Sequence, residues 1–175
     1  REIPRGPTAG SGNFSSGFAP THAAYDQGPA RVIVTDSGHV GITASDPYQN
    51  VGTDQSQYLW LARQLTQNTQ KVAIVTTHVP AYDPHPRADS QFSDRFEARM
   101  YERLVQRYQQ THPGVHVLML FGHARGWAED VRLPDGTESP DGVPNFVVAD
   151  LGATPYAPVD QGGFYNYGLF DVLPD

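Results

Sequence analysis

The sequence contains no cysteine, which removes disulfides, thiolate metal sites and a cysteine nucleophile together. That absence suits a reducing cytoplasm and equally an exterior where core packing alone holds the fold. The compartment stays open, with the extracellular reading slightly favoured. Lysine is nearly missing too, since Lys71 is the one lysine among 12 basic residues, a bias that carries no mechanism. The formal net charge is −7, and the arginines are scattered or share one helix instead of forming a stripe. This argues against nucleic acid as the main partner and against an anionic membrane surface. No run of ~18 apolar residues exists, so no membrane span is expected. Arg1-Glu2-Ile3-Pro4 reads as neither a signal nor a transit peptide.

What is present suffices for one ordinary domain: 175 residues, 38% of them hydrophobic and 11% aromatic. Gly 17 and Pro 15 imply many loops between short elements. Residues 1–30 are rich in Gly, Pro, Ser and Thr and are expected to form an irregular lead-in or loop, with the domain occupying 31–175.

Arg31 to Asp36 is a β-branched run opening into Asp-Ser-Gly, as a buried strand would. Thr53 or Asp54 is placed to cap a helix reaching about Asn68, with Tyr58, Leu61 and Leu65 on its apolar face. Lys71 to Thr77 forms the next strand and delivers His78-Val79-Pro80 at its end. Ser93 to Thr111 places Phe96, Met100, Leu104 and Tyr108 every four positions. Charged residues including Glu97 and Glu102 lie between them, so a surface helix with a solvated charged face is expected. Val115 to Phe121 is a third strand, ending at Gly122-His123-Ala124-Arg125-Gly126. The order is βαβαβ, which predicts parallel neighbouring strands joined by right-handed crossovers. Strands and turns follow: Trp127 to Leu133, Asn145 to Ala149, and Phe164 to Val172 as an edge or antiparallel strand.

His78 and His123 stand apart because each sits where an apolar strand stops. Ligands of α/β sheets gather beyond the carboxyl ends of parallel strands, and neutral imidazole binds zinc, iron or manganese. A strand-end histidine that only hydrogen-bonds a carbonyl is the competing reading, and the 45-residue separation does not decide between them. Arg125 is suited to grip a phosphate bidentately or to pair with Glu129, Asp130 or Asp150. His85 and His39 are loop residues within reach of such a rim, whereas His22, His112 and His116 read as surface residues. There is no Gly-x-Ser-x-Gly elbow, no Walker loop and no Gly-x-Gly-x-x-Gly. Asp46, Asp54, Asp83, Asp89 and Asp94 lack the spacing of a calcium loop.

Thr77-His78-Val79-Pro80 followed by Gly122-His123-Ala124-Arg125 resembles the last two ligand motifs of the calcineurin-like metallophosphoesterases, a strand-end His and then Gly-His-x-His. Gln57-Tyr58-Leu59-Trp60-Leu61 and the strand ending Asp36-Ser37 fit the same resemblance, which spans about residues 22–173. It implies an α/β fold, the C-terminal half of a metallophosphoesterase-like β-sandwich flanked by helices, βαβαβ and then antiparallel strands. It also implies a two-metal centre of divalent or trivalent Fe, Mn or Zn, with His78 and His123 as metal ligands. His78, His123 and Arg125 would be the catalytic positions, and a phosphate-ester small molecule or phosphorylated polymer the substrate. Arg125 replaces the family's second His, and Asp-x-His, Gly-Asp and Gly-Asn-His-Asp/Glu have no match beyond Gly12-Asn13-Phe14-Ser15. The expectation is therefore a partial phosphoesterase domain completed by an upstream part of the same protein, inactive alone. The alternative is a degenerate binding or structural module.

Overall fold

The first apolar run becomes a strand as expected, but the sheet begins one hairpin before it. The structure is a computed structural model, and it describes residues 22–37, 42, 56–83, 90–148, 154–155 and 158–172. Within the lead-in expected to be irregular, β1 (Ala23–Gln27) pairs antiparallel with β2 (Ala30–Thr35). A two-residue turn of Gly28 and Pro29 joins them, and Gly28 at φ +56° takes the left-handed backbone that a tight hairpin needs. The irregular reading failed because Ala23, Ala24 and Gln27 have little intrinsic strand preference. Pairing with β2 overrides it.

Helix α1 (Ser56–Thr66), β3 (Val72–Thr77), α2 (Arg95–Thr111) and β4 (His116–Phe121) complete the βαβαβ unit, with β2, β3 and β4 parallel. The turn to antiparallel strands follows: β5 (Ala128–Arg132) pairs antiparallel with β6 (Val143–Val147), while β6 itself runs parallel beside β4. The result is a six-stranded mixed sheet in the order β1-β2-β3-β4-β6-β5. Phe164 to Val172, expected to be a strand, forms no ladder. It lies against the sheet through side chains instead, with the Phe170 ring standing edge-on to Phe146 at 5.2 Å.

Alternation along the strands decides which face is the core. Ile33, Val75, Met119 and Asn145 align across β2, β3, β4 and β6 and are buried beneath Trp60, Leu61 and Leu65 of α1 and Ala98, Tyr101 and Val105 of α2. The opposite set, Val34, Thr76, Leu120 and Phe146, is half-exposed. The C-terminal segment beside it leaves Tyr165, Tyr167 and Leu169 exposed, Leu169 at 81%. Among the described residues there is one sheet, and no second strand layer covers this apolar face.

Helix α2 departs from its sequence reading in a way that matters below. Its buried stripe is Glu97, Ala98, Tyr101, Glu102, Val105 and Tyr108, whereas Phe96 is 69% exposed. A strict four-residue spacing advances about 400° at 3.6 residues per turn, so the row from Phe96 to Tyr108 winds off one face. The mixed three-and-four spacing from 98 to 108 stays on it. Two carboxylates placed on the solvated face are thus interior. The helix starts at Asp94, whose Oδ1 accepts Phe96 N–H at 2.8 Å and Glu97 N–H at 3.1 Å. Asp94→Ala strips two backbone donors of their partner and is expected to lower stability by about 1 kcal/mol in urea titration.

Candidate functional site

Register builds the site. Thr35, Thr77 and Phe121 lie side by side across three parallel strands, so Asp36, His78 and Gly122 emerge level with one another at the carboxyl edge. His123 follows one residue later. Its Nδ1 lies 3.1 Å from Nε2 of His78, with ring centroids 4.9 Å apart and planes at 76°. The two imidazoles picked out by their strand-end positions therefore converge. Which nitrogen of the pair carries the proton depends on the tautomer. His78 is exposed and His123 half-buried, so one ring faces solvent and the other is backed by the loop.

The loop carrying His123 is unusual. His123 and Arg125 both occupy the left-handed region, at φ 57° and 50°, although neither is glycine. Each such residue costs roughly 1–2 kcal/mol against the right-handed alternative. Ala124 between them is buried and its N–H reaches Gly122 O at 2.6 Å, while Gly122 N–H donates to His78 O at 3.0 Å. The surroundings thus hold a strained backbone in place, a condition associated with functional sites.

A cleft of about 680 Å³ opens beside His78, lined among others by Val34, Asp36, Thr76, Leu120, Tyr167 and Phe170. Its walls are apolar, with polar groups at the strand ends. Of the acids expected near Arg125, Asp130 instead pairs with Arg132 at 2.8 Å. Asp150, His39, His85 and Asp89 lie outside the described residues, as does Gly12-Asn13-Phe14-Ser15. His22, read as a surface residue, is buried, because its ring packs edge-on to Trp60 at 4.5 Å. His112 and His116 are exposed as expected.

Whether these residues suit a metal can be tested by geometry. Two nitrogens bound tetrahedrally to one ion at about 2.1 Å would lie about 3.4 Å apart. The His78 and His123 nitrogens, 3.1 Å apart, stand at hydrogen-bond distance from each other and a little inside that separation. The donor count falls short as well: among the described residues no group of three or more His, Asp or Glu side chains is placed to hold an ion.

Sequence reasoning gave no role to Ser37, Gln57 and Glu102, and each is deeply buried. Ser37 Oγ accepts the Val79 N–H at 3.0 Å, and the Gln57 amide grips the backbone of Asp36. A Ser directly after a strand, and a Gln on the inward face of a helix's first turn, are the signals that would have marked the first two. Glu102 lies among Asp130, Arg132 and Asn145; no donor reaches its carboxylate oxygens at good hydrogen-bond geometry, and the Asn145 side chain is the one hydrogen-bonding group near enough to favour the charge. Burial first, then the Asp130 carboxylate, push its carboxyl up to about 8, against weaker pulls from Asn145 and Arg132.

No family model matches the chain. No curated protein matches it either. Among solved structures, one of PhoD is similar, with a TM-score of 0.50 and 13% identity, over 73% of this chain and 28% of that one. At that identity the likeness concerns the fold alone. The mixed α/β sheet flanked by two helices is consistent with a metallophosphoesterase-like fold. The match spans little more than a quarter of the PhoD chain.

Proposed function

We propose that this chain is the C-terminal part of a metal-dependent phosphomonoesterase or phosphodiesterase domain, with His78 and His123 as ligands to one ion and Arg125 as a contact to phosphate. The observation that carries this reading is the 3.1 Å approach of two imidazole nitrogens at the ends of adjacent parallel strands. The distant likeness to PhoD, a phosphoesterase-type protein, agrees with it. An Fe, Mn or Zn ion, when bound, would polarise a phosphoryl oxygen and activate water. The chain's own part is to present two nitrogen donors and, through the permanently charged Arg125 guanidinium, a planar fork for phosphate oxygens.

The remaining ligands would come from an upstream part of the same protein. The half-exposed apolar face carrying Val34, Leu120 and Phe146, with exposed Tyr167 and Leu169 beside it, is the surface that such a part would cover. No described helix is long and apolar enough to cross a membrane. A second reading, a degenerate binding or structural module, is favoured by Arg125 standing where a further His would be needed, because guanidinium offers a metal no lone pair.

Incubated alone with Mn²⁺, Fe²⁺ or Zn²⁺, the chain is expected to hydrolyse an aryl phosphate or bis-aryl phosphate no faster than background. Turnover that His78→Ala abolishes would overturn the claim that further ligands are required. Titration with Zn²⁺ should perturb the imidazole resonances of His78 and His123 together, with weak affinity. A wild-type protein in which neither ring responds would favour the metal-free module.

A further inference from the structure

The peptide unit joining His78 to Val79 lies beyond the last ladder pair of β3, where a strand-end peptide is ordinarily free to rotate. Here both of its polar groups are held. Its carbonyl, from His78, accepts the Gly122 N–H at 3.0 Å from the end of β4, and its N–H, from Val79, donates to Ser37 Oγ at 3.0 Å at the end of β2. Pinning a peptide plane from both sides fixes ψ of the preceding residue, and with it the direction of that residue's Cα–Cβ bond. The residue so fixed is His78. The same Gly122 leads directly into His123.

Ser37 is in turn held from α1. Gln57 Oε1 accepts the Asp36 N–H at 2.7 Å, while its Nε2 donates to Asp36 O at 2.7 Å and Ile42 O at 2.9 Å. One side-chain amide satisfies three backbone groups where β2 ends. Ser37, Gln57 and Val79 are 1%, 4% and 0% exposed, so water does not compete for these bonds, and each buried group would be left without a partner if its mate were removed.

We propose that Ser37 and Gln57 are positioning residues that aim the His78 imidazole at His123, acting through the 78–79 peptide without touching either ring. The functional meaning of this alignment rests on the proposed metal site, but the alignment itself can be read in metal-free protein. In Ser37→Ala, hydrogen exchange at the Val79 amide should rise about tenfold, the loss of one intramolecular hydrogen bond. Exchange at the Val75 and Met119 amides should stay unchanged, and NMR cross-relaxation between the His78 and His123 rings should fall by more than half. Ser37→Thr, which keeps the hydroxyl, should restore both. Faster Val79 exchange with undiminished ring-to-ring cross-relaxation would overturn the proposal, because the hydroxyl would then hold only backbone. Should Ser37→Ala fail to fold, Gln57→Met fills the same space without the amide and must loosen the ring pair if the proposal is correct. Zn²⁺ added to wild type separates the two readings: paired rings that ignore the ion would remove the metal site and leave the positioning device standing.

Discussion

Glu102→Gln is expected to make the protein more stable at pH 8 and to flatten its pH dependence between about pH 5 and pH 8. Glu102 is 1% exposed on the interior face of α2, and only the Asn145 side chain stands near enough to favour its charged form by hydrogen bonding, at poor geometry. Arg132 is close, but its guanidinium is already engaged, by Asp130 at 2.8 Å, by Glu138 at 3.4 Å and by Gly136 O at 2.6 Å. An ionised Glu102 would therefore add a further uncompensated negative charge to the cluster, which burial penalises. The carboxyl is pushed from 4.5 up to about 8, by burial first and the Asp130 carboxylate second.

The sign follows from proton counting. Between those two values the unfolded chain has released the Glu102 proton and the folded chain keeps it, so stability falls as pH rises. The contribution is complete below the unfolded value and has been lost by about pH 8. A shift of that size corresponds to a few kcal/mol. The Gln variant keeps the shape and cannot ionise, so urea denaturation at pH 5, 6.5 and 8 should show wild type losing stability across the series and the variant losing much less. Parallel curves for the two proteins would sink the assignment. Asp130, whose carboxyl is raised by burial, and Tyr101, raised by burial first, remain in both proteins, and the variant relieves each of its repulsion with the Glu102 charge, which acts in the same direction as the predicted gain.

Glu102 also marks where the sequence was misleading. A Glu between Tyr101 and Arg103 on a charged helix looks solvated, and only the true phase of the helix, fixed by Ala98, Tyr101 and Val105 against the sheet, turns it inward. The strands were easier to read. Val72 to Thr77 and His116 to Phe121 are short apolar runs with clear stops, and their level register follows from two crossovers of ordinary kind. That made His78 and His123 legible as a pair. The segment from 164 to 172 was not, because alternating aromatics signal a strand equally well whether they pair at an edge or lie on a face through contacts such as Phe170 on Phe146. Ser37 and Gln57 offered only positional hints, because their partners are backbone groups distant in sequence and side-chain-to-backbone bonds of that kind leave no periodicity.

If the proposed metal site exists, Arg125→His should convert it from a weak two-nitrogen site into a tighter one. The substitution acts twice, removing a fixed positive charge two residues from His123 and adding a nitrogen donor in its place. Arg125 already lies at φ 50°, a left-handed conformation that histidine tolerates better than most residues, so the change adds no backbone strain of its own. Zn²⁺ affinity, measured by competition with a chromophoric chelator, is expected to tighten by about tenfold or more, a tenfold change being about 1.4 kcal/mol of binding free energy. The gain should vanish when His78→Ala is combined with it, because the new donor works only alongside the existing pair. A folded Arg125→His protein that binds Zn²⁺ no more tightly than its parent would show that residue 125 does not face the ion. The guanidinium at that position would then have to be explained by phosphate or by packing alone.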